Sequence, residues 1–243
     1  MQVYRELPVI TNQTRRRPAE LVGIVSVVEE WTVARHKALA EEIIASEARF
    51  VLDAGTGMYL NAILLDIHLA PKVSTELRRQ AQQAAEGESN PRRAARAKEL
   101  EMAGAEGRGS IWEGELRFDT SIVYRRPERH ALDTAIDERS RRITLNGLEE
   151  AGRLREMAAS GMRISPQVMD SVGVRELCAH LSGTISLQQA QDLIAIRTRR
   201  LARRQMRWFD KLARTLEGRA SITVVQSTEH QADLHNMHDI LGI

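Results

Sequence analysis

Regularly spaced cations in the second half of the chain have the chemistry to bind phosphate. Six of them recur at steps of three or four residues: Arg197, Arg200, Arg204, Arg207, Lys211 and Arg214. That spacing places them along one face of a helix, where like charges four residues apart repel one another. Arginine forms bidentate hydrogen bonds with phosphate oxygens. The pattern predicts a basic helix face that binds RNA or a diphosphate; the alternative is a solvated face paired with acids from elsewhere in the fold.

A glycine-rich turn earlier in the chain could bind a second anionic group. Residues 53–57 (D-A-G-T-G) follow a short apolar run, 50–52, and precede a helical pattern over 58–68. Backbone N–H groups in such a turn and at a helix N-terminus attract anions, and Thr56 adds a hydroxyl. Glycine is also common there for backbone geometry alone, so both interpretations stay open. The turn is not a Walker A loop, because no Gly-Lys-Ser/Thr follows here or elsewhere in this chain.

Strands that alternate with helices must position these groups. We predict strands over residues 19–28, 50–52, 115–124 and 221–225, and helices over 32–47, 58–68, 174–181 and 187–216. A single long amphipathic helix is expected from about Leu132 to Ala158, ended by Gly161, and a polar helix after the last strand. In the basic helix 187–216, Arg199 and Arg203 are expected on the outer side. The order predicts an α/β fold with a mostly parallel sheet.

One segment differs in composition from the rest. Residues 72–112 are rich in Ala, Arg, Glu, Gln and Gly and contain few large apolar residues. They fit two short polar helices around residues 87–91, which project from the core because they bury little surface. We therefore divide the chain into a first core part (1–71), this helical insertion (72–112) and a second core part (113–243).

The composition excludes several protein classes. Among 243 residues, 42% are apolar and 28% are charged, which is a globular balance. No run reaches 18 apolar residues, so no membrane helix is expected, and the single Cys178 excludes an internal disulfide. A reducing cytoplasm is the expected compartment. Lysine and arginine number 35, and only four are lysine, which leaves 31 arginines; a GC-rich genome would also explain that bias.

Several segments in order resemble the tRNA dimethylallyltransferases, also called isopentenyltransferases. The segments are 1–5 (M-Q-V-Y-R), 29–35 (E-E-W-T-V-A-R), 55–60 (G-T-G-M-Y-L), 90–96 (N-P-R-R-A-A-R), 171–176 (S-V-G-V-R-E) and 198–209 (T-R-R-L-A-R-R-Q-M-R-W-F). The resemblance implies a fold similar to the P-loop nucleotide-binding α/β proteins, with a helical insertion that grips the anticodon stem. It implies transfer of a dimethylallyl group from dimethylallyl diphosphate to N6 of adenosine 37 in tRNA, with Mg²⁺. A monomer is expected.

The same resemblance assigns roles to individual residues. Thr56 would lie beside the reaction centre, and the diphosphate would be bound by Gly55, Thr56, Arg199, Arg203 and Arg204. The residues expected to contact tRNA are Met1, Gln2, Arg92, Arg93, Arg96, Gly173, Arg175, Arg199, Arg204 and Gln205. No protein ligand is assigned to the magnesium ion, and no resident metal site is predicted.

Departures from the family pattern lead to one more expectation. The chain lacks the family's N-terminal G-x-T-x-x-G-K loop, which binds the diphosphate, and the Asp before Met1 that would act as general base. Ala54 and Val174 replace a glycine and a tyrosine of the pattern, and the insertion is short. We therefore expect this chain as given to be truncated and inactive, with a non-catalytic RNA-binding remnant as the main alternative. A phosphotransferase relative with a different acceptor is the third.

Overall fold

The computed structural model describes residues 2–13, 18–67, 69, 73–89, 91–104 and 110–227, without the side chains of residues 75 and 91–93. The chain forms two compact units. The first comprises Met1–Leu60 with Asp119–Ile243, and the second comprises Asn61–Phe118. The predicted division at residues 71 and 112 stays a prediction.

Nine helices and two strands are found in the described residues. The helices are α1 (Val33–Ala45), α2 (Gly57–Leu64), α3 (Thr75–Ala84), α4 (Pro91–Met102), α5 (Arg129–Asn146), α6 (Leu148–Ala159), α7 (Pro166–Met169), α8 (Val174–Leu181) and α9 (Leu187–Thr215). The strands β1 (Ser121–Pro127) and β2 (Ser221–Ser227) pair in parallel, with Ser121 opposite Ser221. The predicted α/β class with a parallel sheet is confirmed. In the described part of the chain, no helix is long and apolar enough to span a membrane.

The core of the first unit joins residues from distant parts of the chain. Tyr4, Trp31, Ile143, Leu177 and Ile194 are all 2% exposed or less and belong to one apolar cluster. Because α5, α8 and α9 each bury side chains in this cluster, the core fixes the position of the basic helix.

Two predicted strands in the first half of the chain are wrong. Within residues 19–28 only Val25 pairs, in a single parallel bridge with Tyr4. Leu21 and Gly23 have φ angles of 60° and 63°, which end the extended backbone that a strand needs. The run 50–52 is irregular, and Val51 is 60% exposed, so its apolar residues do not mark a buried strand.

Two other boundaries differ from prediction. The strand expected over 115–124 begins only at Ser121, because backbone groups of Glu115 and Arg117 hydrogen-bond to residues of the second unit instead.

The single long helix is two helices, α5 and α6, separated at Gly147. A side chain at Gly147 would approach the carbonyl oxygen of Ile143 to 2.6 Å, so the bend requires glycine and the apolar stripe does not reveal it. The polar C-terminal helix lies outside the described residues.

The second unit contains the two polar helices that composition predicted. α3 packs against α4, and Glu99 of α4 is 6% exposed. Its carboxylate accepts a 2.5 Å hydrogen bond from Arg96 and lies 3.9 Å from Arg78 of α3. A buried carboxylate needs such partners, so Glu99 joins the two helices of this hairpin.

Candidate functional site

The glycine-rich turn lies against the basic helix. The side-chain amide of Gln205 in α9 donates a 2.6 Å hydrogen bond to the carbonyl oxygen of Gly55. Two residues later, a methyl group at Gly57 would lie 2.1 Å from the indole of Trp208. Glycine is therefore required at Gly57 because the tryptophan ring occupies the space of a side chain. The structure brings two predicted site residues, Gly55 and Gln205, into direct contact.

Thr56 occupies the start of α2. Its carbonyl oxygen accepts hydrogen bonds from the N–H groups of Tyr59 and Leu60, and the residue is exposed. The hydroxyl of Thr56 thus lies at the positive end of a helix, next to a helix that carries several arginines. An anionic group could bind there through backbone N–H groups and the hydroxyl together.

The exposed part of the predicted basic face begins at Arg200 instead of Arg197. Arg200, Arg203, Arg204 and Arg207 are all exposed on α9. In the described part of the chain, the guanidinium groups of Arg200, Arg203 and Arg204 form no ion pair. Guanidinium groups that are close together and lack acidic partners attract a polyanion. For this stretch the phosphate-binding interpretation stays a prediction.

Two arginines of α9 follow the alternative interpretation, in which acids from elsewhere in the fold neutralise them. Arg197, expected on the exposed face, donates a 2.5 Å hydrogen bond to the buried Glu176 of α8. Arg199, expected on the outer side, turns toward α5 and binds Asp137 at 2.6 Å and Asp133 at 3.3 Å. Both orientations were wrong because the partners lie on other helices. The predicted role of Arg199 toward diphosphate and tRNA stays a prediction.

Asp210, the acidic residue in the C-terminal half of α9, is also paired. Asp210 accepts hydrogen bonds from Tyr124 at 3.0 Å and from Arg126 at 3.0 Å, both on β1. Arg126 is the main reason that the pKa of Asp210 is lowered. Burial, with the hydrogen bond to Asp210 second, raises the pKa of Tyr124 to about 12. Asp210 therefore anchors α9 to the sheet while paired with Arg126.

The start of α8 contains two more of the predicted tRNA contacts, Gly173 at its N-cap and Arg175 in its first turn. Gly173 has a φ of 105°, and its N–H donates a 2.9 Å hydrogen bond to Glu176. Arg175 is largely exposed and pairs with Asp170 at 2.7 Å. A left-handed backbone favours glycine, so the G-x-x-E spacing is a capping signal that sequence reasoning had not used.

The remaining predicted residues are Gln2, Met1 and three arginines of α4. Gln2 is half-buried and donates to the carbonyl oxygen of Asn12 at 2.5 Å. Met1 lies outside the described residues, as do the side chains of Arg92 and Arg93 in α4. Arg96 belongs to the second unit, where it pairs with Glu99. Their expected contacts with tRNA stay predictions.

Sequence reasoning missed five residues that hold these groups in place: Tyr124, Arg126, Glu176, Trp208 and Asp210. The signal for Glu176 was the capping spacing. For Trp208, the signal was its position on the apolar stripe of the basic helix. Tyr124, Arg126 and Asp210 gave no local signal, because their contact joins a strand to a helix far along the chain.

Comparison with known proteins decides the family. The model of the IPP transferase family matches residues 2–106 and 87–212. A tRNA dimethylallyltransferase from Rubrobacter xylanophilus is 58% identical, over all of this chain and 85% of its own length. The chain belongs to the IPP transferase family. A tRNA dimethylallyltransferase from Geobacter metallireducens is 31% identical over 86% of this chain and 78% of its own length.

Solved structures agree with the IPP transferase assignment at the level of the fold. The tRNA isopentenylpyrophosphate transferase of Bacillus halodurans superposes with a TM-score of 0.68 at 22% identity, over 99% of this chain and 84% of its own. A eukaryotic dimethylallyltransferase acting on tRNA superposes with a TM-score of 0.69 at 20% identity, over 98% and 67% of the two chains. The resemblance on which the sequence analysis relied is confirmed.

Proposed function

We propose that this chain is a prenyltransferase that moves a dimethylallyl group from dimethylallyl diphosphate to N6 of adenosine 37 in tRNA. Membership of the IPP transferase family supports this activity, as do the names of its relatives. The observation that carries the proposal is the contact between the glycine-rich turn and the basic helix through Gln205 and Trp208. That contact supports the proposal of a site for a small anion beside a surface for a polyanion.

The chemistry requires a stabilised leaving group. In the transfer, the amine nitrogen of adenosine bonds to C1 of the dimethylallyl group, the carbon–oxygen bond to diphosphate breaks, and the amine loses a proton. Negative charge develops on the diphosphate, and fixed guanidinium groups and helix N-termini stabilise such charge. Arg203, Arg204 and the N-terminus of α2 at Thr56 supply these groups. Gly55 completes the proposed diphosphate site, whereas Arg199, which pairs with Asp133 and Asp137, is left out of it.

The tRNA itself is bound in this proposal by phosphate contacts. Exposed arginines neutralise backbone phosphates without reading the base sequence, and Arg175 and Arg204 are exposed cations of this kind. The target base must leave its stack to be modified. Gln2 and the arginines of α4 are proposed as further contacts with the same tRNA.

Magnesium is the proposed cofactor. In the described part of the chain, no cluster of three or more His, Cys, Asp or Glu side chains could hold a metal ion alone. Mg²⁺ usually keeps several waters and binds substrate phosphates with one or two protein oxygens, so an ion carried by the diphosphate fits. Asp53 and Thr56 of the glycine-rich turn offer such oxygens. When bound, the ion neutralises part of the charge on the diphosphate. We also propose that the protein is a monomer and lies in the cytoplasm.

The test is a transfer assay with the full chain. The protein is incubated with Mg²⁺, dimethylallyl diphosphate labelled in its prenyl carbons, and unmodified tRNA. The proposed activity predicts label in the tRNA, and none in a matched tRNA that has guanosine at position 37. The inactivity expected from the sequence predicts label in neither RNA, and that expectation stays a prediction. Label in neither RNA, under conditions in which a control prenyltransferase works, would contradict the proposal. tRNA binding without transfer would instead favour a non-catalytic RNA-binding protein.

A further inference from the structure

A buried ion pair joins the start of α8 to the first half of α9. Glu176 is 4% exposed, and its two carboxylate oxygens have different partners. One accepts from the guanidinium of Arg197 at 2.5 Å, and the other accepts from the backbone N–H of Gly173 at 2.9 Å. A buried carboxylate is strongly destabilising unless it is paired and hydrogen-bonded. Glu176 therefore connects the left-handed turn at Gly173 to the basic helix.

Arg197 extends this connection to the preceding loop. Its second terminal nitrogen donates a 2.7 Å hydrogen bond to the carbonyl oxygen of Asp170. The carboxylate of Asp170 accepts in turn from Arg175 at 2.7 Å, and the Arg175 side chain is 62% exposed. The guanidinium of Arg197 thus holds the backbone at Asp170, and the carboxylate of Asp170 orients the exposed guanidinium of Arg175. The contacts run without a gap from α9 to an exposed cation.

We propose that Glu176 and Arg197 are positioning residues for tRNA binding, an inference that rests on the proposed function. They hold the turn 170–173 and the first turn of α8 against α9, so that Arg175 and the exposed arginines of α9 meet one RNA backbone. Arg197 itself does not contact phosphate, because its guanidinium is directed to Glu176 and Asp170. Arg197 belongs to the predicted basic face of α9, yet in this proposal it acts through Glu176 and the backbone at Asp170.

Salt dependence separates a positioning residue from a phosphate contact. For Glu176→Gln and for Arg197→Gln, we expect the Kd for tRNA at fixed salt to rise about tenfold, while the slope of log Kd against log salt stays unchanged. The matched control is Arg200→Gln, which removes the same charge from an exposed position of α9. We expect the control to reduce that slope by about 1. The double variant Glu176→Gln with Arg197→Gln should bind tRNA no more weakly than either single variant, because both substitutions break the same contact.

A second readout separates positioning from general stability. In the transfer assay, Glu176→Gln should raise KM for tRNA while kcat and KM for dimethylallyl diphosphate change less than about twofold. If these variants do not fold, Asp170→Asn breaks the surface pair with Arg175 and should raise KM for tRNA in the same selective way.

Three results would overturn the inference. One is a reduced salt slope in Arg197→Gln, which would make this residue a phosphate contact. Another is an unchanged Kd and KM for tRNA in folded Glu176→Gln or, where that variant does not fold, in Asp170→Asn. The third is equal changes for both substrates. If the unaltered chain binds no tRNA, the proposed function fails and the positioning role fails with it, whereas normal binding by all variants rejects the positioning role alone.

Discussion

At the scale of single residues, the candidate site depends on close contacts that local sequence cannot predict. The glycine-rich turn was predictable, because glycines between an apolar run and a helical pattern favour a tight turn. Its partner was not, because the indole that fills the space beside Gly57 belongs to Trp208, far along the chain. The backbone geometry of the turn alone would explain Gly57, but glycine is also required there because Trp208 packs against it.

Replacing this glycine should weaken the fold. In Gly57→Ala, the new methyl group meets the Trp208 indole at 2.1 Å, and we expect the free energy of unfolding to fall by about 1–3 kcal/mol. Chemical denaturation measures the change. The matched control is Gly152→Ala within α6, where the new methyl group meets no described atom within 4 Å beyond its chain neighbours and the backbone of its own helix and where alanine should stabilise by about 0.5–1 kcal/mol. Equal effects at both positions would contradict the packing argument.

The pKa of Tyr124 gives a second prediction at this scale. The folded phenol has a pKa of about 12, whereas a phenol in the unfolded chain ionises near pH 10. Between these pH values the unfolded state loses its proton more readily, so the free energy of unfolding falls as the pH rises. Tyr124→Phe should lose less stability over that interval, as measured by denaturation at a series of pH values. A fall of the same size in both proteins would show that Tyr124 does not contribute.

At the scale of elements, α9 shows what periodicity predicts and what it leaves open. Steps of three and four residues gave the helix within one residue of its observed end at Thr215. They could not show which cations are neutralised, because Asp133, Asp137 and Glu176 lie on α5 and α8. The exposed charge is therefore concentrated from Arg200 onward.

The exposed arginines of α9 give the prediction for this element. Replacing Arg203 and Arg204 together by alanine should weaken tRNA binding and reduce the slope of log Kd against log salt by about 2, since each phosphate contact contributes about 1. Binding measured at several salt concentrations tests this. The control is the double variant Arg153→Ala with Arg155→Ala, which removes two exposed arginines of α6. A slope that stays the same in the α9 variant would mean that these arginines only face solvent.

At the scale of the whole molecule, the α/β class was predictable and the sheet was not. Residues 19–28 and 50–52 are apolar and β-branched, as strands are, yet Leu21 and Gly23 turn the backbone and Val51 is exposed. Pairing depends on which segments become neighbours, and one sequence does not specify that. The ordered family motifs were more informative than strand propensity, because they constrain residues across most of the chain at once.

The most direct test of the proposed prenyltransferase activity is to identify the modified nucleoside. Unmodified tRNA is incubated with the full chain, Mg²⁺ and dimethylallyl diphosphate, then digested to nucleosides and analysed by mass spectrometry. We expect a new adenosine carrying one dimethylallyl group on N6, mapped to position 37. Unmodified adenosine throughout, while a control prenyltransferase modifies the same tRNA, would contradict it.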